Sequence, residues 1–98
     1  MLNRQYTYEE LLDKILDARD QAKIVIPAQT RQRILANNLT IHEVFKTIDF
    51  GEMFPCREVD RVKFVTNQTV VFVALGLQGT EEKAFIVSAF RLIQKDSE

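Results

Sequence analysis

Apolar residues recur at helical spacing through the first half of the chain and alternate through the second, with the change near residue 52. Helices first and strands afterwards predict an α+β fold: N-terminal helices packed on one face of a C-terminal antiparallel sheet of about three to four strands. The pattern contains no repeat or low-complexity break, so a single domain over residues 1–98 is expected. Its helical part covers about 7–51 and its sheet part about 53–93.

Thr7 and Glu10 stand three apart, the spacing of a capping box that satisfies orphan N–H groups at a helix start. From there Tyr8, Leu11, Leu12, Ile15, Leu16, Ala18 and Ala22 gather on one side, and Glu9, Glu10, Asp13, Asp17 and Asp20 on the other. Lys23 to Ile26 then runs extended into Pro27, which disfavours a helical residue before it and tolerates a helix start after it. A second helix is expected from Ala28 to Asn37, stopped by Asn37 and Asn38. On its wheel Arg31 lies between Ala28, Ile34 and Leu35 and is expected to point inward, where it needs a carboxylate or carbonyl partner. Gln29 and Arg33 occupy the adjacent flank. Thr40 and Glu43 form a second capping box, opening a third helix that ends near Gly51, with His42, Lys46 and Asp49 on one flank.

Three alternating stretches follow, Glu58–Val65, Thr69–Leu77 and Lys83–Ile93, joined by hairpins around Asn67-Gln68 and Gly79. A two-residue loop at Asn67-Gln68 pairs Phe64 with Val71 and Val62 with Val73. Parity then places Val62, Phe64, Val71, Val73, Leu75, Ile86, Phe90 and Ser88 under the helices. The opposite face receives Arg57, Val59, Arg61, Lys63, Val65, Phe72, Ala74, Val87, Ala89 and Arg91, with Phe85 toward its end. Cations interleaved with aromatic rings suit phosphate backbones and base stacking.

Composition narrows the chemistry. Lys and Arg number 13 against 14 Asp and Glu, a net charge of −1, so nucleic-acid binding needs a local patch rather than a basic chain. Cys56 is the single cysteine, which excludes an intrachain disulfide and points to a reducing compartment. With one cysteine and one histidine, a zinc site built from those residue types is excluded, and no metal or cofactor is expected. No apolar run approaches the ~18 residues of a membrane span, and no signal core opens the chain, so a cytoplasmic protein without membrane contact is expected. The sequons at Asn38 and Asn67 then carry no meaning. His42 is a formal general-base candidate and Cys56, beside Arg57, a formal thiolate candidate, but neither has a partner in the sequence.

The run from Ile26 to Val44 (IPAQTRQRILANNLTIHEV), the segment Ile48 to Gly51, and the closing stretch Phe85 to Arg91 resemble a family of small bacterial domains of unknown function. That family carries an arginine-rich helix pair followed by antiparallel strands, and is similar to the RelE and MqsR type of ribonuclease toxins of the barnase–EndoU–colicin–RelE-like superfamily. Arg31 and Arg33 match the arginines of the helix motif, Gly51 the turn glycine, and Arg91 lies in the final strand. The motif histidine falls at Gln29, which transfers no proton at neutral pH. The resemblance implies metal-free attack of a ribose 2′-OH on the adjacent phosphate. Lys63, Arg91 and Arg61 would act as the catalytic cations, with Arg31, Arg33, Gln29, Arg57 and Phe72 contacting RNA. It also implies an acidic antitoxin as partner. Two readings therefore stand: an RNA-binding or RNA-cleaving toxin-like domain, and a non-enzymatic protein-interaction module of immunity, phage-encoded or regulatory kind.

Overall fold

The computed structural model describes residues 6–58 and 60–92. Helix α1 spans Tyr8–Asp20, and its capping box forms as expected: Thr7 Oγ1 accepts from the Glu10 N–H at 3.1 Å and Glu10 Oε1 accepts from the Thr7 N–H at 2.9 Å. Leu11, Ile15 and Ala18 are buried along it. The helix stops when Lys23 N–H donates to Ala18 C=O at 2.7 Å and Ala22 N–H to Arg19 C=O at 3.1 Å. That pair of bonds is a Schellman cap, and it holds Ala22 at φ 58°, beyond the helix and in the left-handed region. A side chain costs about 1–2 kcal/mol there, while glycine costs about 0.5–1 kcal/mol in unfolded-state entropy. Because Ala22 is exposed, Ala22→Gly loses no packing and is expected to stabilise the fold by about 0.5–1 kcal/mol. A thermal melt checks this as a rise of several degrees for a domain of this size.

Helix α2 spans Ala28–Ala36, directly after Pro27. Only Thr30 and Ile34 are buried along it. Arg31 and Leu35 are exposed, so the expected inward arginine is corrected. A nine-residue helix lying over a sheet touches it along one narrow line. The line runs through residues four apart, 30 and 34, and turns Arg31 away from the core. The exit follows the asparagine signal: Asn38 adopts φ 62°, Leu39 N–H donates to Ile34 C=O at 3.0 Å, and Leu39 drops into the core. Helix α3, Ile41–Phe50, opens with the second capping box and buries Val44, Thr47 and Ile48.

Among the described residues the sheet has five strands: β1 (Ile24–Val25), β2 (Glu52–Pro55), β3 (Arg61–Val65), β4 (Thr69–Gln78) and β5 (Glu81–Arg91). Their order is β1-β5-β4-β3-β2, antiparallel except for β1, which runs parallel to β5. The expectation of three to four antiparallel strands is thus corrected to a mixed sheet of five. Both added strands are edges of two and four residues, too short for an alternating pattern to register. Residues Val59 and Ile93, assigned to strands from sequence, lie outside the described residues. Gly79, at φ 65°, makes the β4–β5 turn with Thr80, between paired Gln78 and Glu81.

All three helices pack on one face of the sheet. Leu11, Ile15, Ile34, Val44 and Ile48 form one cluster with Val62, Phe64, Val71, Val73, Leu75 and Ile86. The β3–β4 register is the expected one, with Phe64 opposite Val71 and Val62 opposite Val73. In β5 the pairing slips: Val73 faces Ile86, Phe72 faces Ser88, and Val87 is the extra residue of a β-bulge. The bulge reverses the parity of everything after it. Ala89 is buried beneath the helices at 4% exposure, whereas Phe90 is 49% exposed. Four assignments change with it: Phe90 and Ser88 belong to the outer face, and Ala89 and Arg91 to the helix side. Among the described residues, no helix is long and apolar enough to cross a membrane.

Candidate functional site

The face of the sheet turned away from the helices is built in rows by strand pairing. One row reads Phe54, Lys63, Phe72, Ser88 across β2, β3, β4 and β5. On one side lies Glu52, Val65, Val70, Phe90, and on the other Arg61, Ala74, Phe85, with Val25 of β1 beyond. Most of these positions are apolar. Lys63 stands between two phenylalanines at the middle of the array, and its Nζ lies 5.8 Å from the Phe54 ring centroid, within cation–π range. Phe72 and Phe90 meet edge to face with ring centroids 6.1 Å apart. Phe85 lies across β4 because Gly76 has no side chain: a Cβ there would stand 3.0 Å from the Phe85 ring.

Arg61 shares this face but is partly committed. Its Nε lies 3.4 Å from the Asp60 carboxylate, misaligned for a hydrogen bond, and is itself buried. The pair is an electrostatic contact that leaves Arg61 less available to an anion than Lys63. Lys63 makes no ion pair among the described residues. Arg57 is exposed in the loop after β2. Beside it the Cys56 thiol is pushed up from its ordinary value, first by burial and then by the Glu58 carboxylate, which overcome the cations nearby. An activated thiolate at Cys56 is therefore not what this environment favours.

Arg91 lies elsewhere. At the end of β5 its guanidinium donates to the Asn38 carbonyl at 2.5 Å and to the Glu43 carboxylate at 3.1 and 3.3 Å, tying the last strand to the α2–α3 connection. Glu43 also accepts from the Thr40 N–H at 2.9 Å. That bond first, and the Arg91 charge after it, hold its carboxyl below the ordinary value of 4.5. Arg61 and Lys63 thus share a surface that Arg91 does not reach. Gln29, Arg31 and Arg33 are exposed on α2, in the helical layer, and do not join Lys63 and Phe72 either. Of the residues expected at one RNA site, the structure brings together Arg61, Lys63 and Phe72.

Two aromatic rings of this face escaped sequence reasoning, those of Phe54 and Phe90. Phe54 sits on a strand that the sequence did not declare, and Phe90 follows the bulge. One signal was present: strict alternation buries Ser88 under the helices, a polar cost that the bulge removes by turning Ser88 outward.

His42 is exposed on α3, beside Lys46 and Phe50, at a groove closed on its other wall by the β3–β4 turn. Among the described residues, no group of three or more His, Cys, Asp or Glu is gathered to hold a metal ion. The geometry suits non-covalent recognition: flat apolar rings offered at the surface, with one cation set among them. No family model, curated protein or solved structure matches this chain, so the resemblance to ribonuclease toxins rests on its sequence motifs alone.

Proposed function

We propose that this chain is a binding module for single-stranded RNA, using the helix-free face of its sheet. The observation that supports this reading is the row Phe54–Lys63–Phe72, an ammonium between two phenylalanines on a surface no helix covers. Single strands are held by such alternation: bases stack on rings at about 1–3 kcal/mol each, and phosphates meet the cations between them. Phe90, edge-on to Phe72, extends the platform by a third ring. The same face supports binding better than the cleavage that the resemblance also implied. Of the three cations assigned to the phosphate, Arg91 is occupied with Glu43 on the far side and Arg61 is shared with Asp60.

The test is fluorescence anisotropy of a labelled uridine decamer, titrated at several salt concentrations. Phe54→Ala is expected to weaken binding about tenfold or more, one stacked base lost. Lys63→Ala is expected to lower the slope of log affinity against log salt by about 0.7, one phosphate contact on a single strand. Wild-type protein that ignores the decamer at low salt overturns the reading. The apolar majority of the face would then favour the second one, a protein partner that covers the phenylalanines and brings a carboxylate to Lys63.

A further inference from the structure

The groove between α3 and the β3–β4 turn is independent of the sheet face, because it opens within the helical layer. It encloses about 370 Å³ and is lined on α3 by His42, Lys46 and Phe50 and on the turn by residues 66–69. That volume falls within the range of roughly 300–1,000 Å³ that small-molecule sites occupy. His42, Lys46 and Phe50 stand four residues apart in succession, so they form one ridge with about 6 Å between neighbours along the axis.

Phe50 is the most exposed large apolar side chain described, at 78%. The inward stripe of α3 is complete without it, since Val44, Thr47 and Ile48 make the buried contacts. Its ring therefore contributes little to the fold and stands at the mouth of the groove. Two hydroxyls of the groove are committed to structure: Thr47 Oγ1 donates to the Glu43 carbonyl at 2.8 Å, and Thr66 Oγ1 accepts from the N–H groups of Gln68 and Thr69. The carboxylate of Glu43 is neutralised by Arg91. The polar groups at the groove include the His42 imidazole, the Lys46 ammonium and the Gln68 amide. None of these three side chains makes a hydrogen bond or ion pair among the described residues.

We infer that this groove binds a mononucleotide, with its base on the Phe50 ring and its phosphate at Lys46 and His42. One helical turn separates the ring from the ammonium, a span of the same order as that from the base to the 5′-phosphate of a nucleotide. Gln68, across the groove, offers a donor and an acceptor together, the pair of functions a base edge requires. The only cation of the lining is Lys46, so the ligand carries one anionic group and not a polyphosphate chain.

The experiment is an amide-resolved NMR titration of the full chain with each of the four ribonucleoside 5′-monophosphates. Inorganic phosphate and adenosine alone are run as separate arms. Shift changes are expected at Lys46, Phe50 and Gln68 with at least one nucleotide, and weaker changes with phosphate or adenosine. Phe50→Ala and Lys46→Ala should each weaken binding about tenfold, the loss of one stacked ring or one charged contact. Both positions are exposed, so the fold should hold, and a thermal melt of each variant confirms it. Phosphate alone reproducing the full response overturns the nucleotide assignment, as does the absence of any response at millimolar nucleotide. Changes confined to Phe54, Phe72 and Phe90 also overturn it, while leaving the sheet-face reading standing. Loss of RNA binding at the sheet with an intact groove response separates the two the other way.

Discussion

Phe64→Ala is expected to remove a large part of the stability of the fold. Phe64 has no exposed surface and is the largest side chain so enclosed, at the centre of the layer between sheet and helices. Removing a buried phenyl ring costs its transfer energy and leaves a cavity, together about 3–5 kcal/mol. A domain of this kind holds only about 5–15 kcal/mol in all. At about 4–8 °C per kcal/mol for this size, the melting temperature should fall by at least about 12 °C. Phe90→Ala is the matched control: the same atoms are removed from a position 49% exposed, so far less apolar area returns to water. Thermal melts of the two variants side by side separate burial from residue type. Equal losses would mean that the outer face is covered in solution, and would direct attention to self-association.

Deleting Val87 is expected to keep every side chain of the last strand on its present face. Val87 is the residue by which β5 exceeds β4 at the bulge. Without it, Ile86 and Ser88 become neighbours opposite Val73 and Phe72, the partners they already have, so the ladder turns regular. Ala89 then stays beneath the helices and Phe90 outside. Ala89→Phe is the opposite case, because it presses a ring into a space enclosed beneath the helices and sized for a methyl group. Overpacking a closed site costs about 1–3 kcal/mol and sometimes more. Melts of the two variants give the comparison, with the edge-to-face contact of Phe72 and Phe90 kept in the NMR spectrum of the deletion as a second readout. A deletion variant that loses that contact would show that the faces of the last strand are set by something other than this pairing.

These two residues mark where sequence reasoning reached and where it stopped. Phe64 was legible because β3 and β4 are joined by a tight turn. Pairing propagates from that turn one residue at a time, and alternation assigns each side chain to a face. Both capping boxes and the Asn38 stop were legible for the same reason of locality. Each is closed by hydrogen bonds spanning five residues or fewer, and only a few residue types make them.

Elsewhere the outcome depended on partners distant in the chain. Ile24 and Val25 are a strand only because β5 lies beside them, and Phe54 faces outward only because β2 pairs with β3 in that register. Arg31 turns to solvent because the line of contact between α2 and the sheet runs through Thr30 and Ile34. Arg91 leaves the company of Lys63 because the bulge at Val87 reverses the last turns of the parity. The chain by itself determined the helices, their ends, the central hairpin and most of the core, since those follow from neighbours within a few residues. The tertiary structure alone decided which rings and cations share the open face. A bulge and two edge strands are settled by how sheet and helices fit together, with Ala89 small enough to sit beneath the helices where Phe90 is not.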